Sequence, residues 1–205
     1  MKQRLPRLKL LLAGGVLLLL LVVGAFFYKY YDIYFKGAMA FDEKERMLYI
    51  PRNTSFDELV LLLLKEGIVE EASPIRTFAK LKGYDTKGYS GAYKIEKGLS
   101  LRDLMLLLVA KKQKPVRLVV PSVRTVEEMA GRLARHLDID SVELLAYLHD
   151  PASAAPFNLS LQAFPAMFIP NTYEVYWNIP ADKLLRRMKR EYDAFWTEAR
   201  RNRAE

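Results

Sequence analysis

The hydrophobic positions of this chain fall into two regimes. Over residues 10–28 they are continuous: LLLAGGVLLLLLVVGAFFY is 19 residues without a charge. As a helix rising 1.5 Å per residue, that run reaches roughly 28 Å, close to the thickness of a bilayer's hydrocarbon core. A segment in lipid must satisfy its own backbone, and a helix does so. After residue 43 the pattern becomes periodic. Apolar residues recur every three or four positions, or alternate, between punctuating Gly, Pro and hydroxyl residues. That is the pattern of short amphipathic helices mixed with short strands.

One local phrase recurs three times in the periodic part. Ser55-Phe56-Asp57-Glu58-Leu59, Ser100-Leu101-Arg102-Asp103-Leu104 and Thr125-Val126-Glu127-Glu128-Met129 each read hydroxyl, apolar, any, acid, apolar. The hydroxyl can accept from the first turn of a helix, while the acid reaches back to the cap's own amide. Leu99 and Leu104 are spaced to staple the second cap. A strand-like run precedes each phrase, at 47–50, 91–95 and 116–120. Glu66-Gly67-Ile68 reads as a helix stop, and Ser73-Pro74 as a helix start with proline at its first position. Residues 44–113 thus read strand, helix, helix, strand, helix, a β-α-α-β unit with the third helix packed on it.

Another strand follows, then helices near 125–137 and 140–149 and a loop over 151–170 that carries four prolines. The last helix begins near Pro180. On it, Leu184, Leu185, Met188, Tyr192, Phe195, Trp196 and Ala199 share one face, which reads as core packing. Lys183, Arg186, Arg187, Lys189 and Arg190 lie largely elsewhere. The expected class is α+β.

Charge refines the N-terminal reading. The formal +8 includes four cations (Lys2, Arg4, Arg7, Lys9) and no acid before residue 29, which leaves +4 for the rest. That is an ordinary surface and excludes a nucleic-acid footprint. Cations crowd the N-terminal side of the apolar run, whereas Lys29, Lys36 and Asp32 follow it, so the N-terminus is expected in the cytoplasm. Tyr28, Tyr30, Tyr31, Tyr34 and Phe35 form a cluster suited to headgroup level. A cleaved leader would have a shorter apolar core and a small-x-small end, but this run finishes Gly-Ala-Phe-Phe-Tyr. The reading is a cytoplasmic tail over 1–9, a transmembrane helix over 10–28 and a linker over 29–43. Everything beyond is expected to work outside the cytoplasm.

Chemistry is sparse. Cysteine is absent, as are a glycine-rich phosphate loop, a Gly-x-Ser-x-Gly elbow and an HExxH helix. His136 and His149 fall near helix C-termini, where the dipole favours a cation. No metal or cofactor is expected. Glu58, Asp103 and Glu128 belong to caps. Glu174 alone sits in markedly aromatic company, in Phe168-Ile169-Pro170-Asn171-Thr172-Tyr173-Glu174-Val175-Tyr176-Trp177-Asn178. Aromatic faces stack on sugar rings, while Asn and Thr bond to hydroxyl and acetamido groups. A strand burying its aromatics fits the same composition, and both readings stand.

That stretch, with the following Arg187-Met188-Lys189-Arg190-Glu191-Tyr192-Asp193-Ala194-Phe195-Trp196, resembles the YceG-like, or MltG-type, endolytic murein transglycosylases, closest in wording to the Bacteroidetes branch. Upstream, Leu64-Lys65-Glu66-Gly67-Ile68, Gly91-Ala92-Tyr93-Lys94-Ile95 and Gly98-Leu99-Ser100-Leu101 resemble that family's LysM-like portion. The resemblance implies a LysM-like module over 44–113 and the first part of an α+β catalytic domain over 114–205. It implies a single-pass inner-membrane lytic transglycosylase whose partners are peptidoglycan glycan strands, the bilayer through residues 10–28, and cell-wall synthases. Such enzymes cut between N-acetylmuramic acid and N-acetylglucosamine and leave 1,6-anhydro ends, terminating glycan elongation. Asn171, Thr172, Tyr173, Glu174, Tyr176 and Trp177 are the substrate-side residues so implied.

The family's catalytic Glu lies in an Ala-Ser-Ile-Val-Glu-type segment after the Thr-Tyr motif. It is carried onto no residue of this chain, Glu174 included, and is expected beyond residue 205, so the chain as given is expected to be truncated and inactive. Asn171 stands where Asp is commoner, and Ser122-Val123-Arg124 where many members have Glu-Gly. The alternative reading is a non-catalytic, membrane-anchored peptidoglycan-binding or division-scaffold protein.

Overall fold

The computed structural model describes residues 4–35 and 39–204, except for the side chains of residues 4–11, 29, 30, 32, 33, 35 and 204. It is a mixed α+β chain. Helix α1 (Arg4–Phe35) leads into strand β1 (Glu45–Ile50), helices α2 (Phe56–Lys65) and α3 (Ala72–Lys82), strand β2 (Gly91–Glu96) and helix α4 (Leu101–Val109). From 44 to 112 this is the order that the periodicity predicts. β1 and β2 are hydrogen-bonded as a two-stranded ribbon. Two compact units divide the chain, one holding residues to Arg46 with 56–87 and 95–110, the other 47–55, 88–94 and 111–205.

In the first unit, α2 turns Leu59, Val60 and Leu63 inward and leaves Leu61 61% exposed. Ile75 and Ala79 of α3 and Leu101, Leu104, Met105 and Leu108 of α4 are also buried. Each set keeps the three- to four-residue spacing of one helix face. α2 ends as its Gly-Ile pair predicts. Gly67 takes φ +60°, its amide donates to the Leu64 carbonyl, and Ile68 N–H donates to the Leu63 carbonyl at 2.9 Å. This double closure satisfies carbonyls that the helix end orphans, and it buries Ile68.

α3 departs from expectation. It begins at Ala72, with Glu71 at the cap position and no side-chain cap, so Pro74 is the third helical residue and not the first. Proline is tolerated there because the first turn's amides have no helical acceptor anyway.

α1 packs against α4, and its last turn is tied to α3. The Tyr34 hydroxyl donates to the Pro74 carbonyl at 3.4 Å, and its ring lies 5.5 Å from that of Phe78. Tyr34 therefore has an internal partner where the sequence suggested a headgroup contact. Tyr28 and Tyr31 are exposed, as is the whole run 12–28. Among the described residues no helix is long and apolar enough to cross a membrane. The expected span begins at residue 10, outside the described side chains, and the tail over 1–9 and the flanking charges Lys29, Asp32 and Lys36 lie outside them too.

The second unit is built on strands β3 (Val116–Val120) and β4 (Asn171–Val175), which pair antiparallel in the register Val116↔Val175, Leu118↔Tyr173 and Val120↔Asn171. Helices α5 (Val126–Ala134), α6 (Ser141–His149), the short α7 (Pro151–Ala154) and α8 (Ala181–Phe195) belong to it. Leu118, Val120, Tyr173 and Val175 point into a core with Met129, Leu133, Leu144, Leu148, Phe164, Leu184, Leu185 and Met188. Large core side chains of this kind each contribute about 1.5–3 kcal/mol by leaving water.

Thr125 caps α5 by accepting from Glu128 N–H at 3.1 Å, and Ser100 caps α4 by accepting from Asp103 N–H at the same distance. Neither acid closes the box as expected. The Asp103 carboxylate accepts from the Ser100 hydroxyl, while that of Glu128 accepts from Arg124 N–H, one residue before the cap, and from Arg132.

Two further differences concern the later chain. The proline-rich loop holds α7 and two 3-10 turns, Ala155–Phe157 and Phe164–Met167. The long stripe of the last helix does not continue to residue 199. α8 stops at Phe195, Trp196 N–H donates back to Tyr192, and α9 (Glu198–Ala204) restarts the coil. The inward face holds through Met188 and Tyr192, whereas Phe195 is 38% exposed.

Tyr93 is fully buried and its hydroxyl donates to the Ser90 carbonyl at 3.3 Å. Burial pushes this phenol up from 10.0 to about 12. Between those values the native state retains a proton that the unfolded chain has lost, so raising the pH favours unfolding. Stability is expected to decline as pH climbs from about 10 toward about 12. Tyr93→Phe should flatten that decline, as read from thermal melts across the alkaline range.

Candidate functional site

The aromatic stretch is divided by the two-residue period of β4. Tyr173 and Val175 face inward, whereas Asn171, Thr172 and Glu174 are exposed. Tyr173 stands opposite Leu118, is 5% exposed, and donates its hydroxyl to the Ile169 carbonyl at 2.7 Å. Burial, with the nearby Glu191 charge adding and Arg187 opposing, raises its hydroxyl above the usual phenol value. At the outer end of the strand, Asn171 Oδ1 accepts from Thr172 N–H at 2.8 Å. Beyond the strand, Tyr176 is 53% exposed. Trp177 is half-buried, meets the Tyr49 ring edge-on at 5.2 Å, and accepts Asp138 N–H on its carbonyl.

Glu174 and Tyr176 open onto a groove of ≈ 830 Å³ in the second unit. β4 and the following turn form one wall with Val175, Asn178, Ile179 and Pro180; Gln113 and Pro115 lie ahead of β3. α8 forms the other with Lys183, Arg186, Arg187 and Arg190. Their spacing of three, four and seven positions places them as one stripe along the helix. Arg187 also pairs with Glu191 at 2.8 Å. Among the described residues, Lys183, Arg186 and Arg190 have no acidic partner within 4.0 Å. Glu174 is the one acid in the lining.

The groove's polar end converges on Ser90. Asn178 donates its amide to the Ser90 carbonyl at 3.1 Å and to its hydroxyl oxygen at 3.0 Å, and Gln113 donates to the same carbonyl at 3.4 Å. Gly91, at φ +141°, makes the last contact feasible, since a Cβ there would fall 2.3 Å from Gln113 Cδ. Asn178, the final residue of the aromatic stretch, thus ties the turn after β4 to Ser90, a role with no local signal in the sequence. The cationic stripe is legible in the sequence only as positions lying largely off the apolar face.

A second constellation had no signal in the sequence. Arg52, after β1, donates its backbone N–H to Asp138 Oδ2 at 2.6 Å, and its guanidinium reaches Glu143 at 3.0 Å and Asp138 at 3.5 Å. Loss of water raises the Asp138 carboxyl above its ordinary value, although Arg52 opposes the shift. The bond to Glu143 chiefly raises Arg52 in turn. Because Asp138 N–H bonds to Trp177, this pairing braces the chain just after the aromatic strand. Among the described residues no group of three or more His, Cys, Asp or Glu could hold a metal ion.

The model of the YceG-like family matches residues 48–205. The chain belongs to the YceG-like family. One solved structure similar to it is that of a yceG-like protein from Listeria monocytogenes, 18% identical, with 78% of this chain and 58% of that chain covered and a TM-score of 0.39. The YceG-like chain described here therefore spans 58% of that protein. No curated protein matches it. The family match includes β4, the groove and the Arg52–Asp138 pairing.

Removing the Arg52 side chain strips Asp138 of its guanidinium partner. Arg52→Ala is expected to lower stability by about 1–2 kcal/mol, at the low end for charged hydrogen bonds because the pair is partly exposed. Asp138→Asn retains an acceptor for Arg52 N–H and should cost less. Thermal unfolding of the two single variants and the double variant in detergent measures the coupling.

Proposed function

We propose that this chain is the anchor, LysM-like module and first catalytic portion of a membrane-bound endolytic peptidoglycan transglycosylase of the MltG type. The observation that carries the reading is the family match across 48–205 together with an aromatic strand that turns Glu174 and Tyr176 toward an open groove. The groove has the volume of a ligand cleft. Glu174 and Tyr176 border the glycan in this reading, Asn171 and Thr172 extend the contact along the strand, and Tyr173 and Trp177 hold its shape from within.

The chemistry is an internal displacement. A carboxyl first protonates the glycosidic oxygen between N-acetylmuramic acid and N-acetylglucosamine. The same carboxylate then takes the proton from the muramoyl C6 hydroxyl, whose oxygen closes onto C1 and leaves a 1,6-anhydro ring. No water is consumed, and the nucleophile gains from being tethered to its target. None of the groove residues is assigned that carboxyl.

Placement in the membrane belongs to the same reading. Leu17, Leu18, Leu19, Leu20 and Leu21 are each 61–65% exposed in α1, and a contiguous apolar surface of that kind needs a cover. A bilayer supplies it, with the N-terminus cytoplasmic and everything from β1 onward on the cell-wall side. Cell-wall synthases at that surface are the protein partners this placement favours.

Two experiments bear on the proposal. Incubating the full-length protein with glycan strands should yield 1,6-anhydro ends by mass spectrometry. Reducing ends would reject the mechanism. Intact strands would favour a non-catalytic glycan-binding anchor. Protease added to intact spheroplasts should digest the part after residue 36, and full protection of that part would overturn the placement.

A further inference from the structure

The last turn of α3 carries a surface that core formation does not explain. Leu81 is 76% exposed, more than any other large apolar side chain among the described residues. Lys80 and Lys82 flank it, and Lys87 follows in the loop. All three are exposed and join no ion pair among the described residues. Arg76, the remaining cation of α3, is paired with Asp57 of α2. Asp85 is the single acid between residues 72 and 87. Gly83, at φ +63°, ends the helix, so the Lys-Leu-Lys turn forms its tip.

The element fastened beside this tip is α1. Tyr34 donates to the Pro74 carbonyl and lies against Phe78, whose ring meets Tyr84 edge-on at 6.1 Å. Phe78 shares a helix face with Leu81 and Lys82, three and four positions on. On α1, Phe26, Phe27 and Tyr28 are exposed. Tyr34 follows Tyr28 by six residues, about 9 Å along the helix. A headgroup layer is roughly 5–8 Å deep on each side of the hydrocarbon. A bilayer that covers α1 through Tyr28 therefore brings the α3 turn held by Tyr34 to the headgroup surface.

We propose that the tip of α3 rests on that same bilayer, an assignment that depends on α1 spanning it. Leu81 enters the headgroup layer, while Lys80, Lys82 and Lys87 meet the phosphates of anionic lipids. An apolar side chain between lysines suits such a surface, because the ammonium groups stay with phosphate and water as the apolar parts sink. A free anion would leave Leu81 unexplained, and a purely apolar partner would leave the lysines so. The tie to α1 selects the bilayer over a soluble partner of mixed character.

The test uses the full chain reconstituted in vesicles. The chain has no cysteine, so one introduced thiol takes one environment-sensitive fluorophore. Thr86→Cys, exposed in the loop after α3, reports on the tip, and Val23→Cys reports separately on α1. Quenching is read with lipids spin-labelled at the headgroup for position 86 and along the acyl chain for position 23. The vesicles are phosphatidylcholine alone, or phosphatidylcholine with about one quarter phosphatidylglycerol. The probe at 86 should be quenched about twofold more in the anionic vesicles, with the difference fading as salt rises. Leu81→Gln, and the pair Lys80→Gln and Lys82→Gln, should each remove that excess. Both should leave the melting temperature unchanged, because these side chains are exposed.

Quenching at 23 with none at 86 would overturn the proposal and leave the placement of α1 standing. Absence of quenching at both positions would overturn the two together. Equal quenching at 86 in the two kinds of vesicle, or quenching indifferent to these substitutions, would overturn the assignment to anionic lipid.

Discussion

The antiparallel register of β3 and β4 is the constraint on which the second unit depends. Placing Leu118 opposite Tyr173 sends one half of each strand into the core and the other half outward. A slip of one residue would exchange those halves, burying Glu174 and Thr172 and exposing Tyr173 and Val175. An unpaired carboxylate in that core would cost far more than the strand pairing returns. The site's orientation is therefore a by-product of core formation. Glu174 and Tyr176 face the groove because Tyr173 and Val175 cannot.

Three smaller devices hold that arrangement. The Tyr173 hydroxyl finds the Ile169 carbonyl within its own loop, so the buried ring keeps its polar tip satisfied. Arg52 and Asp138 brace the segment after the strand through the Trp177 carbonyl. Asn178 and Gln113 converge on Ser90, with Gly91 yielding the space. The side chains that hold the strand and the turn after it thus come from positions 52, 90, 113 and 138, far off in sequence.

That separation explains what the sequence made legible. Local signals read well. The alternation of Val116, Leu118 and Val120, the hydroxyl caps at Ser100 and Thr125, and the glycine stop at Gly67 all depend on neighbours within a few residues, and each recurs in the structure. Reading failed where a local rule had competitors. Pro74 could start a helix at its first or third position, and the acids Asp103 and Glu128 found other donors. The apolar stripe after Leu184 does not run past Phe195, and periodicity alone does not register the break in the helix at Trp196. Pairings across long separations, such as Arg52 with Asp138, leave no periodic trace at all.

The aromatic stretch joins the two kinds of information. Its composition suited a sugar-binding surface and a buried strand equally, and composition offered no means of choosing. Strand geometry makes the choice residue by residue, giving Tyr173 to the core and Tyr176 to the groove. The basic stripe on α8 follows the same logic in helical form. The helix must turn Leu184, Leu185 and Met188 inward, and the positions left between them, at 183, 186, 187 and 190, fall together along the groove wall. Helical periodicity would allow any soluble residue there. That all four are cationic, with one acid across from them, is more than core formation requires.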